Sequence, residues 1–571
     1  MIVNKEFGSP AFRRIALPTL GVLLLSSCGG ERAAVEHGPP NIVVVLADDL
    51  GYSDLGAYGG EIATPAIDRL AADGRLFSWF LTQGRCVPSR ATLLTGRHPH
   101  EVGLAHMTTD LGPPAYRGSL AEDVPTLPEL LRERGYRNYM AGKWHLTPYD
   151  RSPDEEQAIR LGEVEPSSAA LPYNPNDLPT ARGFDRFYGT IPGFSDYWNP
   201  HGLFEDDRPV APEGAGDGRY FYTDAITERA LAFLDQHVEE RPNAPFFLYA
   251  AYTTPHWPLH AREEDLVEED RAAYREGPAA LKRQRHERQR QLELPVARHP
   301  LPPDDPALAE ADWNTRGMQV YAAQVRDLDE AVGRLVDWLA ARGLLENTLL
   351  LVLSDNGTSL SHVTDRWREI GLTPGRTADG RPVVVGNQAD VLPGPADTFQ
   401  SYGRAWAHAT NTPFRLFKTY VHEGGLAAPL IAHWPARLEG SSDDRPRSML
   451  DLLPTLLVVA GGEPGGRYEG LDLFASTDEA LARVDARRLA WEHQGNRALL
   501  GGGYKLVSLH DGSESSRWEL YRTDSDRTET RDLAAEEPET VEAMAAEWQA
   551  WADRVGIVPW TQLEAAARTA R

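Results

Sequence analysis

Four short runs of mostly apolar residues predict buried strands within the first two thirds of the chain. Ile42–Leu46 and Leu349–Leu353 are the clearest, Phe246–Tyr249 is similar, and Arg137–Ala141 is weaker. Apolar runs without polar alternation are typical of strands in a parallel sheet that is covered on both faces. These four segments therefore indicate one large sheet.

Three segments between these runs predict amphipathic helices, because their apolar residues recur at three- and four-residue spacing. They are Val124–Arg134, Asp224–Val238 and Met318–Arg342. Strands that alternate with helices favour an α/β fold. We therefore predict a large, mostly parallel mixed sheet sandwiched by helices, in a domain that spans residues 41–455.

The pattern changes past about Pro454, where short strand candidates follow one another. A helical segment, Met449–Val459, and a glycine-rich joint, Gly461–Gly470, come first. Consecutive short strands favour an antiparallel sheet, and Val541–Arg554 predicts a closing helix. We therefore predict a smaller C-terminal subdomain of antiparallel sheet plus helix over residues 456–571. Its strand candidates are Arg488–Trp491, Arg497–Leu500, Tyr504–Ser508 and Trp518–Tyr521.

Two further segments lack a strand pattern. Arg262–Pro306 is a charged insertion, and its Lys/Arg run is interpreted as a solvated helix rather than a binding surface. Arg366–Ala396 is rich in glycine and proline, which predicts a long loop.

The N-terminus has the features of an export signal. Positive charge at Arg13 and Arg14 precedes the mostly apolar Ile15–Leu25, a run too short to span a bilayer. Leu25-Ser26-Ser27-Cys28 resembles the lipobox of bacterial lipoproteins, in which cleavage leaves a lipidated N-terminal cysteine; the alternative is an ordinary secretory signal. We expect a signal segment at residues 1–28 and a tether at 29–40. The mature protein is expected to be exported, periplasmic or at the cell surface, with a lipid anchor at Cys28 in a bacterial membrane.

Composition and charge narrow the classes of partner. The chain has 571 residues, of which 41% are hydrophobic and 25% charged, as in ordinary globular proteins. Its formal net charge of −26 repels nucleic acid phosphates, so we expect no nucleic acid partner. An anionic ligand would require a local cationic pocket.

Polar side chains follow all four predicted strands of the large sheet. In open α/β sheets, ligands bind outside the carboxyl ends of the strands, so we expect these side chains to meet at one edge. They are Asp48 and Asp49, Lys143 and His145, His256, and Asp355 and Asn356.

Two of these pairs, Asp48-Asp49 and Asp355-Asn356, consist of hard oxygen ligands. Three carboxylates close together repel one another without a cation, and oxygen ligands without a Cys/His cluster favour Ca²⁺ or Mg²⁺ over zinc. The alternative is that some of them are helix caps or turn residues. Two adjacent pairs, each after a buried strand, favour the metal site.

Cys86 lies where a helix is expected to begin. Pro88 suits a first helical turn, and Gly96 suits a C-terminal stop. Free N–H groups at a helix start favour negative charge, and Arg90 lies one turn further on the same face. The alternative is a buried, inert cysteine that behaves as a small hydrophobic residue. Because Cys28 is the only other cysteine and lies in the signal segment, Cys86 keeps no disulfide partner and a reactive role is favoured.

Four basic side chains complete the candidate site. Lys143 and His145 are two residues apart, so both point to one side if the segment is extended. His256 lies in a loop stiffened by two prolines, and Lys418 lies in Phe414–Gly425. Individually, each lysine is typical of a surface residue and each histidine of a structural one. Their combination with the acidic pairs is what indicates chemistry.

Two continuous motifs contain residues of the candidate site. They are Cys86-Val87-Pro88-Ser89-Arg90, continued by Ala91-Thr92-Leu93-Leu94-Thr95-Gly96-Arg97, and Gly142-Lys143-Trp144-His145-Leu146. Both resemble the signatures of type I, formylglycine-dependent sulfatases of the alkaline phosphatase superfamily. Supporting matches run in order over nearly the whole mature chain: Asp48-Asp49-Leu50-Gly51, Thr64–Leu70, Arg182–Asp185, Ser354-Asp355-Asn356-Gly357 and Trp518–Tyr521. The bacterial arylsulfatase branch is the closest likeness, judged by Asn411–Lys418 and His422–Pro435.

The resemblance implies that a maturation enzyme converts Cys86 to formylglycine, whose hydrate is a geminal diol. It implies a Ca²⁺ ion, with Mg²⁺ as the alternative. The implied metal ligands are Asp48, Asp49, Asp355, Asn356 and the hydrate at position 86.

The resemblance also implies roles for the remaining residues. One diol oxygen attacks sulfur with Asp355 as base, while Lys143 and Lys418 bind the sulfate oxygens. His256, with or without Lys418, protonates the leaving alcohol and leaves a covalent sulfated hemiacetal. His145 then deprotonates the second hydroxyl, sulfate leaves, and Arg90 keeps the diol in place. The expected substrate is an aryl sulfate or a sulfated carbohydrate.

Two departures from the family pattern and two competing functions remain open. Thr358-Ser359 and the long Arg366–Ala396 loop differ from the family pattern; the loop is expected near the site mouth and bears on substrate size. A phosphonate or phosphate ester hydrolase of the same superfamily could use the same diol and metal. A non-catalytic lipoprotein that binds sulfated glycans would require Cys86 to stay a thiol.

Overall fold

The computed structural model describes residues 38–148, 173–304, 315–364, 373, 375–388, 390–513 and 516–569. The signal segment, Cys28 and residues 29–37 of the tether lie outside the described residues, as do parts of the two segments Arg262–Pro306 and Arg366–Ala396. Within the described ranges, none of the helices combines the length and the apolar character needed to cross a membrane.

The four predicted strands lie side by side in the central sheet. They are β1 (Asn41–Ala47), β3 (Arg137–Gly142), β7 (Phe246–Ala251) and β8 (Thr348–Ser354). β1 pairs in parallel with both β7 and β8, and β3 pairs in parallel with β7. Their carboxyl ends therefore share one edge of the sheet, as the sequence predicts.

Further strands extend this sheet at both sides. On one side lie β2 (Arg75–Leu81), β11 (Ala427–His433), β12 (Ser441–Asp443) and β13 (Arg447–Ser448); on the other lie β4 (Arg186–Thr190), β5 (Leu203–Glu205) and β6 (Arg208–Pro209). The strand order is β12-β2-β11-β8-β1-β7-β3-β4-β5-β6, with β13 paired to β2. β11 runs antiparallel to β2 and β8, so the sheet is mixed.

The strands β2 and β11 were not expected from the sequence, although β11 borders β8 and β2 pairs with β11. β11 contains Pro429, a residue that cannot donate to the ladder, and its register against β2 shifts between Ala428 and Leu430. An interior proline argues against a strand when only the sequence is considered.

Helices cover both faces of the sheet. Val43 and Val45 of β1 pack on one side with helices Tyr222–Glu240 and Thr315–Ala341. Ile42, Val44 and Leu46 pack on the other side with helix Cys86–Thr95. This explains why β1 is apolar from Ile42 to Ala47. The other α-helices in the described part of the chain are Pro65–Asp73, Leu127–Arg132, Glu268–Ala273, Pro278–Gln291, Arg404–Thr410, Glu423–Leu426, Leu452–Val459, Asp478–Asp485, Pro538–Val555 and Trp560–Thr569.

The C-terminal part has the predicted antiparallel sheet and closing helix. Its strands run in order as β14 (Leu489–His493), β15 (Asn496–Gly501), β16 (Tyr504–Ser508) and β17 (Trp518–Arg522). Met544 and Trp548 of the helix Pro538–Val555 pack on this sheet. Residues 39–571 form one compact unit, so the division at 455/456 stays a prediction about organisation.

The charged insertion forms a helix, Pro278–Gln291, whose one face is exposed as predicted and whose other face is buried. Arg285, on helix Pro278–Gln291, is fully buried and bonds Asp54 Oδ1 at 2.6 Å and Glu61 Oε2 at 2.7 Å. Gln289 donates to the carbonyl of Tyr58 at 3.1 Å. A guanidinium enters the interior when it pairs with buried carboxylates. Those carboxylates come from the segment after β1, a contact that local charge density does not reveal.

The long loop has little regular structure in its described part. β9 (Val384–Val385) pairs in parallel with β10 (Thr398–Phe399). Val383, Val385 and Phe399 pack in one small cluster with Trp257. This part of the loop therefore lies beside His256, as expected for an element near a site mouth.

Candidate active site

The two acidic pairs meet at the shared edge of β1 and β8. Ala47 is in register with Ser354, so the residues that follow each strand are neighbours. The backbone N–H of Asp49 donates to Asp355 Oδ1 at 3.3 Å, and Asn356 Nδ2 donates to Asp49 Oδ1 at 2.6 Å. Asp48, Asp49, Asp355 and Asn356 are all buried. The parallel ladder brings these side chains together across about three hundred residues of sequence.

Three cations surround these carboxylates. Lys143 Nζ donates to Asp48 Oδ2, and Lys418 Nζ donates to Asp49 Oδ1 at 2.5 Å. Arg90 Nε donates to Asp355 Oδ2 at 3.0 Å, and its Nη2 lies 3.6 Å from Asp48 Oδ2. All three side chains are buried. Three buried cations thus balance three buried carboxylates, and these cations are the local positive charge that the site offers to an anionic ligand.

Cys86 begins its helix, as the sequence predicts. The helix Cys86–Thr95 has no side-chain cap at its N-terminus and ends at Gly96 with φ of 65°. Arg90 Nη1 donates to the carbonyl of Lys143 at 2.9 Å, which joins this helix to the end of β3. Burial acts to lower the pKa of Lys418, but Asp49 and Cys86 outweigh it and raise that pKa. Cys86 therefore belongs to the same electrostatic cluster.

The neighbouring charges shift the carboxyl pKa values in opposite directions. Burial acts to raise the pKa of Asp48, but the cations Lys143 and Arg90 lower it below its ordinary value. Burial, followed by repulsion from Asp48, raises the pKa of Asp355 to about 7. Asp48 is thus anionic over the physiological range, whereas Asp355 can exchange a proton near neutral pH.

Several buried oxygen atoms suit a bound cation. Within the described part of the chain, Asp48 Oδ1, Asp49 Oδ2 and Asn356 Oδ1 accept no hydrogen bond. Asp48, Asp49 and His256 each offer a ligand atom, and these atoms all lie within 4.8 Å of one another. Buried oxygens without donors are costly unless a cation or water satisfies them. An oxygen-rich set of this kind fits a hard divalent ion.

Asp355 stands slightly apart from this group. Its carboxylate pairs with Arg90 and the backbone of Asp49. The three side chains whose ligand atoms lie within 4.8 Å of one another are Asp48, Asp49 and His256, without Asp355. His256 Nε2 is 3.4 Å from Asp49 Oδ2, and its Nδ1 contacts the carbonyl of Trp257 at 2.6 Å. Burial lowers the pKa of His256 to about 4.

His145 reaches the site through a left-handed backbone. Its φ is 60°, so the segment after β3 is not extended there and the expected common orientation with Lys143 does not follow from spacing. Burial and then Lys143 lower the pKa of His145 well below its ordinary value. Its ring packs against Gly193: a Cβ at that position would lie 2.0 Å from Nε2. Nothing in the sequence around Gly193 predicts its contact with His145.

Asn411 joins three parts of the site that sequence reasoning left separate. Its Oδ1 accepts from the N–H of Tyr52 at 3.4 Å and of Thr358 at 3.2 Å. Its Nδ2 donates to the carbonyls of Leu416 and Gly424 at 3.2 and 2.7 Å. It thus connects the segments after β1 and β8 with the loop that carries Lys418. The sequence marks Asn411 only as part of the family likeness.

Comparison with known proteins agrees with this geometry. The family model described as Sulfatase matches residues 40–462. A sulfatase of Schizosaccharomyces pombe is 30% identical over 565 residues, which cover 92% of this chain and 95% of that protein. An arylsulfatase of Klebsiella aerogenes is 28% identical and covers 76% of this chain and 89% of its own length. An N-acetylgalactosamine-6-sulfatase of Rattus norvegicus is 27% identical, with 89% and 77% covered.

Solved structures share the fold. The crystal structure of Ps i-CgsB superposes with a TM-score of 0.60 at 24% identity, covering 90% of this chain and 92% of that one. A protein in complex with its substrate D-glucosamine-2-N,6-O-disulfate gives a TM-score of 0.58 at 20% identity, covering 91% and 99%. The chain belongs to the sulfatase family, within the alkaline phosphatase-like superfamily, and is a hydrolase of sulfuric esters.

Proposed function

We propose that residue 86, matured from cysteine to formylglycine by a separate maturation enzyme, is the nucleophile of this sulfatase. The observation that carries the proposal is the position of Cys86 at an uncapped helix start within the cluster of Arg90, Lys143 and Lys418. The N–H groups of a helix start and nearby cations stabilise an oxyanion there. The resulting covalent species is a sulfated hemiacetal at position 86.

We further propose a Ca²⁺ ion at the acidic edge, with Mg²⁺ as the alternative. Asp48, Asp49, Asp355, Asn356 and the hydrate at position 86 are the proposed ligands. The buried oxygens without hydrogen-bond donors support this assignment. When bound, the ion supplies Lewis acidity toward the sulfate oxygens and the hydrate.

The remaining residues then act through their own protons and charges. Lys143 and Lys418 bind the sulfate oxygens, and Arg90 orients the hydrate. Asp355, whose carboxylate pairs with Arg90 of the helix that begins at Cys86, accepts a proton from the attacking hydroxyl. His145 has its Nδ1 free of hydrogen bonds to described residues and removes the proton of the second hydroxyl.

The leaving alcohol requires a proton donor. Burial keeps His256 neutral near pH 7, and the negative charge of an arriving sulfate ester raises its proton affinity. Lys418 stays protonated because Asp49 raises its pKa, so it is the second candidate donor. The proposed donors both lie on the Asp49 side of the cluster.

The substrate class is proposed from the relatives. They include an arylsulfatase and an N-acetylgalactosamine-6-sulfatase, and one structural neighbour binds a sulfated glucosamine. We propose an aryl sulfate or a sulfated carbohydrate as substrate. We also propose that the protein is exported and reaches the periplasm or cell surface, anchored through a lipid on Cys28.

Mass spectrometry of the peptide that contains residue 86 tests the nucleophile. Conversion of the thiol to an aldehyde lowers the mass by about 18 Da, through loss of H₂S and gain of oxygen. Protein from the native host is expected to show this shift, and Cys86→Ala is expected to abolish turnover. An unmodified thiol together with full activity would refute the proposal; an unmodified thiol with sulfated-glycan binding and no turnover would favour the binding lipoprotein.

Relative rates on phosphorus and sulfur esters test the reaction class. Nitrophenyl sulfate is expected to turn over faster than nitrophenyl phosphonate esters. The reverse order would favour a phosphonate or phosphate ester hydrolase that retains the sulfatase fold.

A further inference from the structure

Four buried charged residues connect the C-terminal sheet to the loop that carries Lys418. Glu423 ends this loop, Lys505 lies on β16, and Arg527 and Glu529 follow β17. Each is at most 4% exposed. We call these four residues the buried quartet; two carboxylates and two cations give it no net charge.

Ion pairs connect all members of the buried quartet. Lys505 Nζ lies 2.9 Å from Glu423 Oε1 and 2.8 Å from Glu529 Oε1. Arg527 Nε donates to Glu423 Oε2 at 2.8 Å, and its Nη1 donates to the carbonyl of Ser78 on β2 at 2.8 Å. The backbone N–H of Glu423 donates to the Glu529 carboxylate at 3.1 and 3.2 Å. The network thus spans the catalytic sheet, the Lys418 loop and the C-terminal sheet.

The other end of the loop is attached to the same C-terminal segment. Arg415 Nη1 donates to the Tyr521 hydroxyl at 3.2 Å and to the carbonyl of Glu529 at 3.0 Å. The N–H of Gly424 donates to the carbonyl of Arg415 at 3.2 Å. Lys418 therefore lies between two attachments to one element.

The backbone around Lys418 requires such support. Leu416 and Thr419 have φ of 64° and 86°, a left-handed region that non-glycine residues adopt only at a cost in free energy. A buried ion network is itself a weak source of stability, because desolvation offsets its Coulomb attraction. The network contributes more by holding the backbone of the Lys418 loop in one defined geometry than by adding stability.

We propose that the buried quartet positions Lys418, so that the C-terminal sheet serves catalysis by fixing the Nζ of Lys418 against Asp49. This inference rests on the proposed role of Lys418 in binding the sulfate group. Lys505, Glu529 and Arg527 are positioning residues: they act through the loop and touch neither substrate nor reacting atoms.

A double-mutant cycle tests this role. Lys505→Met leaves the quartet with an unbalanced buried carboxylate and is expected to lower kcat/KM by about 10- to 100-fold, as a displacement of about 1 Å does in a preorganised site. In a Lys418→Ala background, the same substitution is expected to change kcat/KM by less than about twofold, because the residue it positions is gone. Inorganic sulfate should also inhibit Lys505→Met more weakly than the wild type.

The outcomes distinguish the proposed role of Lys418 from the proposal that the quartet positions it. If the losses of Lys505→Met and Lys418→Ala multiply, the quartet does not act through Lys418 and the positioning proposal is wrong, while the role of Lys418 stands. If Lys418→Ala keeps wild-type kcat/KM, the proposed function of Lys418 is wrong and the inference fails with it.

Matched variants guard against a general loss of folding. Asp451 and Arg487 form another buried ion pair, at 2.7 Å, away from the Lys418 loop. Arg487→Met is expected to lower Tm as Lys505→Met does, yet to keep kcat/KM. If Lys505→Met fails to fold, Arg415→Met replaces it in the cycle, since it removes only the partly buried attachment at the other end of the loop. A kcat/KM loss in Arg487→Met equal to that of Lys505→Met would overturn the proposal.

Discussion

The contact between Gly193 and His145 provides a sharp steric test of the site. In Gly193→Ala the new Cβ would lie 2.0 Å from His145 Nε2 and 2.1 Å from Cε1. Carbon atoms in contact keep about 3.5–4.0 Å, so the ring or the loop must move by roughly 1.5 Å. Gly193 does not have a left-handed φ, so alanine brings no backbone strain of its own.

The kinetic consequence follows from the proposed role of His145. A displacement of about 1 Å in a preorganised site lowers the rate about 10²-fold. Because His145 is proposed to act only after the alcohol has left, steady-state kcat should fall by about this factor while the first turnover persists. Stopped-flow measurement with nitrophenyl sulfate should therefore show a burst of nitrophenol, followed by slow turnover.

Two comparisons decide this prediction. Gly216→Ala is the control, because a Cβ at Gly216 meets no atom within 4 Å, and it should behave as the wild type. A Gly193→Ala variant with steady-state kcat within threefold of wild type would refute the placement of His145. Equal loss in the burst and the steady state would refute its assignment to the second step.

Three further predictions concern the metal and stability. Removal of calcium with EGTA is expected to abolish turnover and lower Tm, and added calcium should restore both. The reason is that the buried carboxylate oxygens without hydrogen bonds would lose the cation that satisfies them. An unchanged Tm, together with no calcium by elemental analysis, would contradict this. Arg285→Met should lower the free energy of unfolding by about 3–5 kcal/mol in urea titrations, because it leaves the buried Asp54 carboxylate without its cation. The control is Arg283→Met, which changes an exposed residue of the same helix and should have little effect. Equal losses in the two variants would contradict the buried pairing. Burial, followed by repulsion from Asp265, raises the pKa of Asp327 to about 8. The folded state therefore keeps a proton that the unfolded chain loses above about pH 4, so stability falls between about pH 4 and 8. Asp327→Asn should be equal to wild type near pH 4 and more stable at pH 7, by about 4 kcal/mol, because three pH units at about 1.4 kcal/mol each separate the two conditions. A constant difference across this range would refute the shift.

The fold is predictable from sequence where the signal is local. β1 and β8 are apolar at nearly every position because both faces of the sheet are covered, and this pattern is visible without coordinates. β11 escapes prediction because Pro429 interrupts its ladder. The buried face of the insertion helix is not predicted, because the burial of Arg285 depends on carboxylates more than two hundred residues away.

The sequence by itself determined the chemistry available to this protein. It shows that Asp48 and Asp355 follow buried strands, and that Cys86 begins a helix with Arg90 one turn away. Those features depend on neighbours in the chain, where apolar runs, caps and spacing act. The tertiary structure alone decided how these groups are supported, through Gly193 against the His145 ring and Asn411 between three loops. Such contacts join residues far apart in sequence, and their free energy depends on distances of a few ångströms that only the packed chain defines.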